Sequence, residues 1–214
     1  MFKLLLINMI AIIDYGMGNL QSVGNILEYL GESHIITSDK KEIEKAEKII
    51  LPGVGAFSEA MKNLHEFGLV SVIQREVLEN KKPLLGICLG MQLLAQKGYE
   101  GGECNGLSLV EGEVRRFDLA DKKLPIPHVG WNTVMPKGSS VLFGKNNKEG
   151  VFYFVHSYHF VCKNENDVSG YSDYGGKFVA SIERDNIFAT QFHPEKSQED
   201  GIELFKNFLS YKRN

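Results

Sequence analysis

Cysteine is scarce in this 214-residue chain: Cys88, Cys104 and Cys162 are the only three, and none forms a Cys-x-x-Cys pair. That excludes a disulfide framework and a zinc ribbon, and it fits a reducing, cytoplasmic compartment. Basic charge is not in excess either. Lys and Arg number 24 against 27 Asp and Glu, a formal net charge of −3, so nucleic acid is not expected as a partner. A membrane span needs about 20 apolar residues, and the amino-terminal run from Met1 stops at Asp14. No small-residue cleavage site follows it, which argues against a signal peptide. The stretch reads instead as a buried parallel strand, and no membrane partner is expected. Residues 1–8 precede Met9, where a chain opening on this strand would start. They read as an extension, or as the product of an upstream start codon. Repeats, low-complexity segments and charged tails are absent. Hydrophobic residues make up 43% of the chain and charged residues 24%, the proportions of an ordinary globular protein. A chain of this size buries roughly 70% of its unfolded surface without a metal or disulfide staple. We expect one domain over residues 1–214.

The first half alternates short apolar runs with helical patterns. Strands are expected at Ile10–Ile13, His34–Thr37, Lys48–Leu51 and Pro83–Ile87. Helices are expected up to Leu30, from Ala56 to Glu79 with a break near Gly68, and over Gly90–Gln96. This order indicates βαβ units and a parallel sheet. From Gly106 to Ile187 the runs become short, aromatic and β-branched, as in GEVRRF, VFYFVHSYHF and KFVASI, which is the pattern of antiparallel strands. A last helix is expected over Glu199–Tyr211. The expected class is α/β, a mostly parallel central sheet flanked by helices with an antiparallel β addition.

The sharpest chemical signal is Gly86-Ile87-Cys88-Leu89-Gly90, an apolar strand running into a helix. Small residues on both sides allow a strained strand-to-helix turn that exposes a nucleophile. At a helix start, the dipole and free N–H groups favour the thiolate. The Leu89 N–H is placed to receive an oxyanion. A second donor is expected from Pro52-Gly53-Val54-Gly55, which ends another strand. A thiolate also needs a proton carrier. His193 in Gln191-Phe192-His193-Pro194-Glu195 qualifies, because Pro194 keeps it extended and the i, i+2 relation brings Glu195 to its ring. His156 and His159, three apart, are expected on opposite faces of one strand and so not to share a metal. Ser157 and Tyr158 read as polar contacts to a small ligand, and Cys104 and Cys162 as structural. Asp14-Tyr15-Gly16-Met17-Gly18-Asn19 is a poor dinucleotide motif, since Gln21 stands where a third glycine is needed.

Together, GICLGMQLL, PGVG, QFHPEKS, IIDYGMGNL, PHVGWN and YFVHSY resemble the class I (triad) glutamine amidotransferases. Within that family they are most similar to the glutaminase subunits of imidazole glycerol phosphate synthases. The resemblance runs from about Met9 to the carboxyl end. It departs from the usual pattern at Val129, commonly Met, and at Ala95-Gln96, commonly Phe-Glu. It implies a flavodoxin-like fold, with Cys88 as nucleophile, His193 as general base and acid, and Glu195 as the orienting acid. The oxyanion would be received by Leu89 and the Gly53–Val54 backbone, and glutamine would be held by Gly55, Gln92, Glu100, Ser157 and Tyr158. No cofactor or metal is implied. L-glutamine would be hydrolysed to glutamate and ammonia, and the ammonia passed to a (β/α)8-barrel cyclase that makes imidazole glycerol phosphate and AICAR in histidine biosynthesis. That heterodimer contact is expected near His128, Trp131 and Asn132. Three other readings stand beside this one: a paralogous glutaminase serving surface-sugar modification, a non-catalytic scaffold that binds a partner, and a Cys–His peptidase.

Overall fold

Residues 9–119 and 123–212 are described by the computed structural model, so the expectation for residues 1–8 lies outside the described residues. The chain opens with β1 (Ile10–Ile13), α1 (Leu20–Tyr29), β2 (His34–Thr37), α2 (Lys40–Lys45) and β3 (Lys48–Gly53). It continues through α3 (Phe57–Glu66), α4 (Val70–Gln74), β4 (Leu84–Cys88) and α5 (Leu89–Leu93). The short β5 (Lys97–Gly98) and β6 (Cys104–Asn105) precede β7 (Gly112–Arg116), β8 (His128–Pro136), β9 (Gly150–His156) and β10 (Tyr158–Cys162). Then come β11 (Val168–Asp173), β12 (Lys177–Arg184), β13 (Ile187–Thr190) and α6 (Gln198–Ser210).

The main sheet runs β2-β1-β3-β4-β13-β12-β11-β8-β9. From β2 to β13 the pairings are parallel. From β13 to β9 they are antiparallel. The antiparallel strands therefore continue the central sheet instead of forming only an addition beside it. A second sheet of four strands, β10-β7-β5-β6, also forms.

Period-two alternation explains the burial of both faces. Along β1, Ala11 and Ile13 face one apolar cluster, and Ile10 and Ile12 the other. Helices seal both faces with apolar stripes at helical spacing. In α3 the buried positions are Phe57, Ala60, Met61 and Leu64; in α6 they are Gly201, Leu204, Phe205 and Phe208. The Phe, Met and Leu side chains among these contribute roughly 1.5–3 kcal/mol each when fully buried. No helix among the described residues is long and apolar enough to cross a membrane. One expected element comes out differently, and one expected break is found. The helix after Cys88 ends at Leu93, because Gln96 bonds to Gly112 O and Lys97 enters β5. The break near Gly68 occurs where α3 gives way to α4, with Gly68 at φ +63.

Candidate active site

Parallel pairing brings the loops after β3 and β4 to the same sheet edge. Gly53 pairs with Cys88 in register, so the PGVG segment lies beside the thiol. Cys88 has φ 54 and ψ −107, a region that non-glycine residues avoid at a cost of about 1–3 kcal/mol. Its neighbours hold it there. A Cβ on Gly90 would lie 1.7 Å from Leu51 O, so only glycine lets α5 pack this close to β3. Gly53 is similarly enclosed by Tyr15, whose hydroxyl donates to Pro52 O at 2.9 Å. Burial first, and then the nearby Cys88, push the Tyr15 hydroxyl well above its ordinary range and keep it a neutral donor.

His193 arrives from the other direction. Its N–H donates to Tyr153 O at 2.9 Å, and its carbonyl accepts from Ser197 Oγ at 2.6 Å. The ring Nδ1 lies 2.7 Å from Glu195 Oε1, with both side chains almost wholly buried. Glu195 reaches the ring as expected, but over a single 3-10 turn at Pro194–Lys196 instead of an extended chain. Since the carboxylate accepts from Nδ1–H, Nε2 is the nitrogen left for the nucleophile. It is buried and makes no hydrogen bond of normal geometry. Burial alone would lower the His193 pKa. The negative sulfur of Cys88, and then Glu195, outweigh burial and raise it to about 10.

Cys88 and His193 open onto a cavity of about 240 Å³, lined also by Val54, Gly55, Leu89, Gln92, Glu100, Val155, His156, Ser157 and Tyr158. Every candidate ligand contact read from the sequence therefore meets here. Four larger hollows, of about 260 to 650 Å³, are lined by neither Cys88 nor any histidine. Glu100 Oε2 accepts from Phe57 N at 3.1 Å at the start of α3; burial raises its pKa, against that hydrogen bond. Gln92 donates to Tyr158 O at 2.9 Å and to Gln191 Oε1 at 3.1 Å.

Three participants went unnoticed in the sequence. Val155 O lies 4.0 Å from Cys88 Sγ, and Gln191 Nε2 lies 3.7 Å from it. Gln191 stands two residues before His193 at the end of β13, so period-two alternation could have flagged it. His156 is the third. Its Nδ1–H donates to Tyr158 O at 2.8 Å, which leaves Nε2 to accept from His128 Nδ1 at 3.1 Å. Burial lowers the pKa of His128 to about 4 and that of His156 to about 3, so both are neutral near pH 7.

Two expectations need correction. His156 and His159 do not sit on opposite faces of one strand. The strand breaks at Ser157, and both rings pack on Phe117, with centroids 5.2 and 4.7 Å away. No group of three or more His, Cys, Asp or Glu able to hold a metal occurs among the described residues. His128 is not a surface contact: it is buried, stacked on Phe154 and Tyr174, while Trp131 is about half exposed. Asn132 Nδ2, 3.4 Å from His128 Nε2, links the two environments. Asp14 Oδ1 accepts from Gly16 N at 3.0 Å in a local turn.

A family profile described as glutamine amidotransferase class-I matches residues 11–211. An imidazole glycerol phosphate synthase subunit, HisH 1, of Campylobacter jejuni subsp. jejuni serotype O:23/36 (strain 81-176) is 52% identical, covering 94% of this chain and 98% of that protein. The HisH subunit of Bacillus thuringiensis (strain Al Hakam) is 50% identical over 94% of this chain and 93% of its own. Among solved structures, a glutamine amidotransferase superposes with a TM-score of 0.72 at 20% identity, covering 93% of this chain and 96% of that one. PurLQS from Thermotoga maritima gives 0.70 at 18% identity, over 95% and 98%. These two structures speak to the fold alone.

Proposed function

The chain belongs to the class I glutamine amidotransferase family, and we propose that it is the glutamine-hydrolysing subunit of a synthase that forms imidazole glycerol phosphate in histidine biosynthesis. The observation that carries the chemistry is one cavity holding Cys88 on a strained turn beside a buried His193–Glu195 pair. In this reading the Cys88 thiolate attacks the side-chain amide carbon of L-glutamine. The oxyanion is received by Leu89 N–H, at the start of α5 where the first-turn N–H groups lack helical partners, and by the Gly53–Val54 backbone. His193 gives its proton to the departing ammonia, then takes one from the water that hydrolyses the thioester. Glu195 holds the ring in the right tautomer throughout. Gly55, Gln92, Glu100, Ser157 and Tyr158 shape the pocket around the amino-acid end of the substrate.

The chain acts as one cytoplasmic amidotransferase domain and hands ammonia to a (β/α)8-barrel cyclase. Support for the docking site comes from the outer ends of the antiparallel half. Val129, Trp131 and Met135 on β8, with Val151 and Val155 on β9, form an exposed apolar face. We place the cyclase against this face around Trp131, with His128 and Asn132, on the opposite side of β8, bracing it from beneath. Ammonia release from glutamine, measured with and without the purified cyclase, tests the assignment. Stimulation by the cyclase is expected; glutaminase activity that no cyclase affects would overturn it.

A further inference from the structure

We propose that the side-chain amide of Gln191 is a hydrogen-bond donor that stabilises the Cys88 thiolate, a role that rests on Cys88 being the nucleophile. The orientation of the amide follows from its neighbours. Gln92 Nε2 points at two oxygens, Tyr158 O at 2.9 Å and Gln191 Oε1 at 3.1 Å. The Tyr158 carbonyl can only accept, so the nitrogen of Gln92 belongs there. Gln191 therefore turns its oxygen to Gln92 and its NH2 to Cys88 Sγ, 3.7 Å away. Gln191 is fully buried, and its backbone N–H is tied to Ala180 O at 2.8 Å. The amide can neither rotate freely nor exchange its sulfur contact for water.

The sulfur has two polar neighbours of opposite kind. Val155 O, at 4.0 Å, can accept from a thiol but only repels a thiolate. Gln191 can donate to a thiolate and offers a thiol little. The pair thus discriminates between protonation states, with Gln191 favouring the charged, nucleophilic one. Unlike the His193 imidazolium, this donor carries no proton that the reaction consumes. It remains in place when the tetrahedral intermediate of thioester hydrolysis collapses and the sulfur leaves as thiolate, so it assists both the attack and the departure. Buried N–H groups are worth most to a charged partner, because no water competes for either.

The test is the pH dependence of Cys88 alkylation by iodoacetamide in the absence of glutamine, read on the Cys88 peptide by mass spectrometry. Wild type is compared with Gln191→Met, which keeps length and removes the donor. The apparent pKa of alkylation is expected to rise by about one pH unit, with the rate on the rising limb of the profile roughly tenfold slower at a given pH and the high-pH plateau unchanged. Should the Met variant not fold, Gln191→Glu keeps an acceptor for Gln92, places no N–H at the sulfur and must raise the apparent pKa further. An unchanged alkylation profile combined with a raised KM for glutamine would overturn the proposal, leaving Gln191 as a spacer for Gln92. Failure of wild type to hydrolyse glutamine would instead refute the glutaminase reading, and the alkylation comparison would still report on Gln191.

Discussion

Cys88, in the parallel half of the main sheet, is held by backbone packing, whereas His193, where the antiparallel half begins, is held by hydrogen bonds to a distant strand. Around Cys88 the constraint is steric: glycines at positions 53, 86 and 90 let β3, β4 and α5 close on one another around the residue with φ 54. Around His193 it is polar. Tyr153 O and Ser197 Oγ tie the His193 backbone and Glu195 holds its ring, each through a single hydrogen bond, and Tyr153 lies 40 residues upstream (193 − 153). The nucleophile and its base should therefore fail in different ways when each is disturbed.

The sharpest way to break the parallel side is Gly90→Ala. The added Cβ meets the Leu51–Pro52 backbone of β3, which cannot step aside, so the variant should lose more than about 3 kcal/mol of stability or fail to accumulate as folded protein. Circular dichroism and thermal melting would check this. On the other side, Glu195→Gln should leave the fold standing and lower kcat by roughly 10²–10⁴-fold, because the ring loses its orienting charge. Steady-state glutaminase kinetics beside a melting curve would separate the two outcomes. If Glu195→Gln unfolded the chain as Gly90→Ala does, the contrast would collapse.

Histidine titration sharpens the comparison further. His128 and His156 have folded pKa values below the ordinary 6.5. As pH falls below 6.5 the unfolded chain binds their protons first, so stability present above that pH declines towards pH 4 and then 3. Urea titrations across pH 3–7 should show this acid limb in wild type and a shallower one in His128→Phe. The smallest expected effect is that of Ser197→Ala. Its hydroxyl donates to His193 O and accepts from Tyr153 N at 3.1 Å. Its loss should cost about 1–2 kcal/mol and lower kcat severalfold, which denaturant midpoints and kinetics together would register.

The same contrast governs how much could be read from the chain itself. The parallel half was legible because its causes are local: period-two runs end at GICLG and PGVG, and the sharp turn follows from the small residues themselves. The pairing of His193 with Glu195 was legible for the same reason, although the connecting backbone is a 3-10 turn. Missed or misplaced residues depend on long-range pairing. Gln191 reaches Cys88 only because β13 lies beside β4. His128 turns inward only because β8 pairs with β9 in the register that sets it opposite His156. His156 and His159 share Phe117 only because the strand breaks at Ser157. No local spacing encodes such contacts.

In the proposed function, Cys88 carries the chemistry while the surface around Trp131 carries the partner. Ammonia release from glutamine by wild type and Cys88→Ala, each with and without the cyclase, tests it most directly. Wild type should release ammonia faster with the cyclase. Cys88→Ala should be slower by roughly 10⁴-fold or more in both conditions while binding the cyclase as wild type does. Ammonia release by Cys88→Ala at a rate near that of wild type would contradict the account.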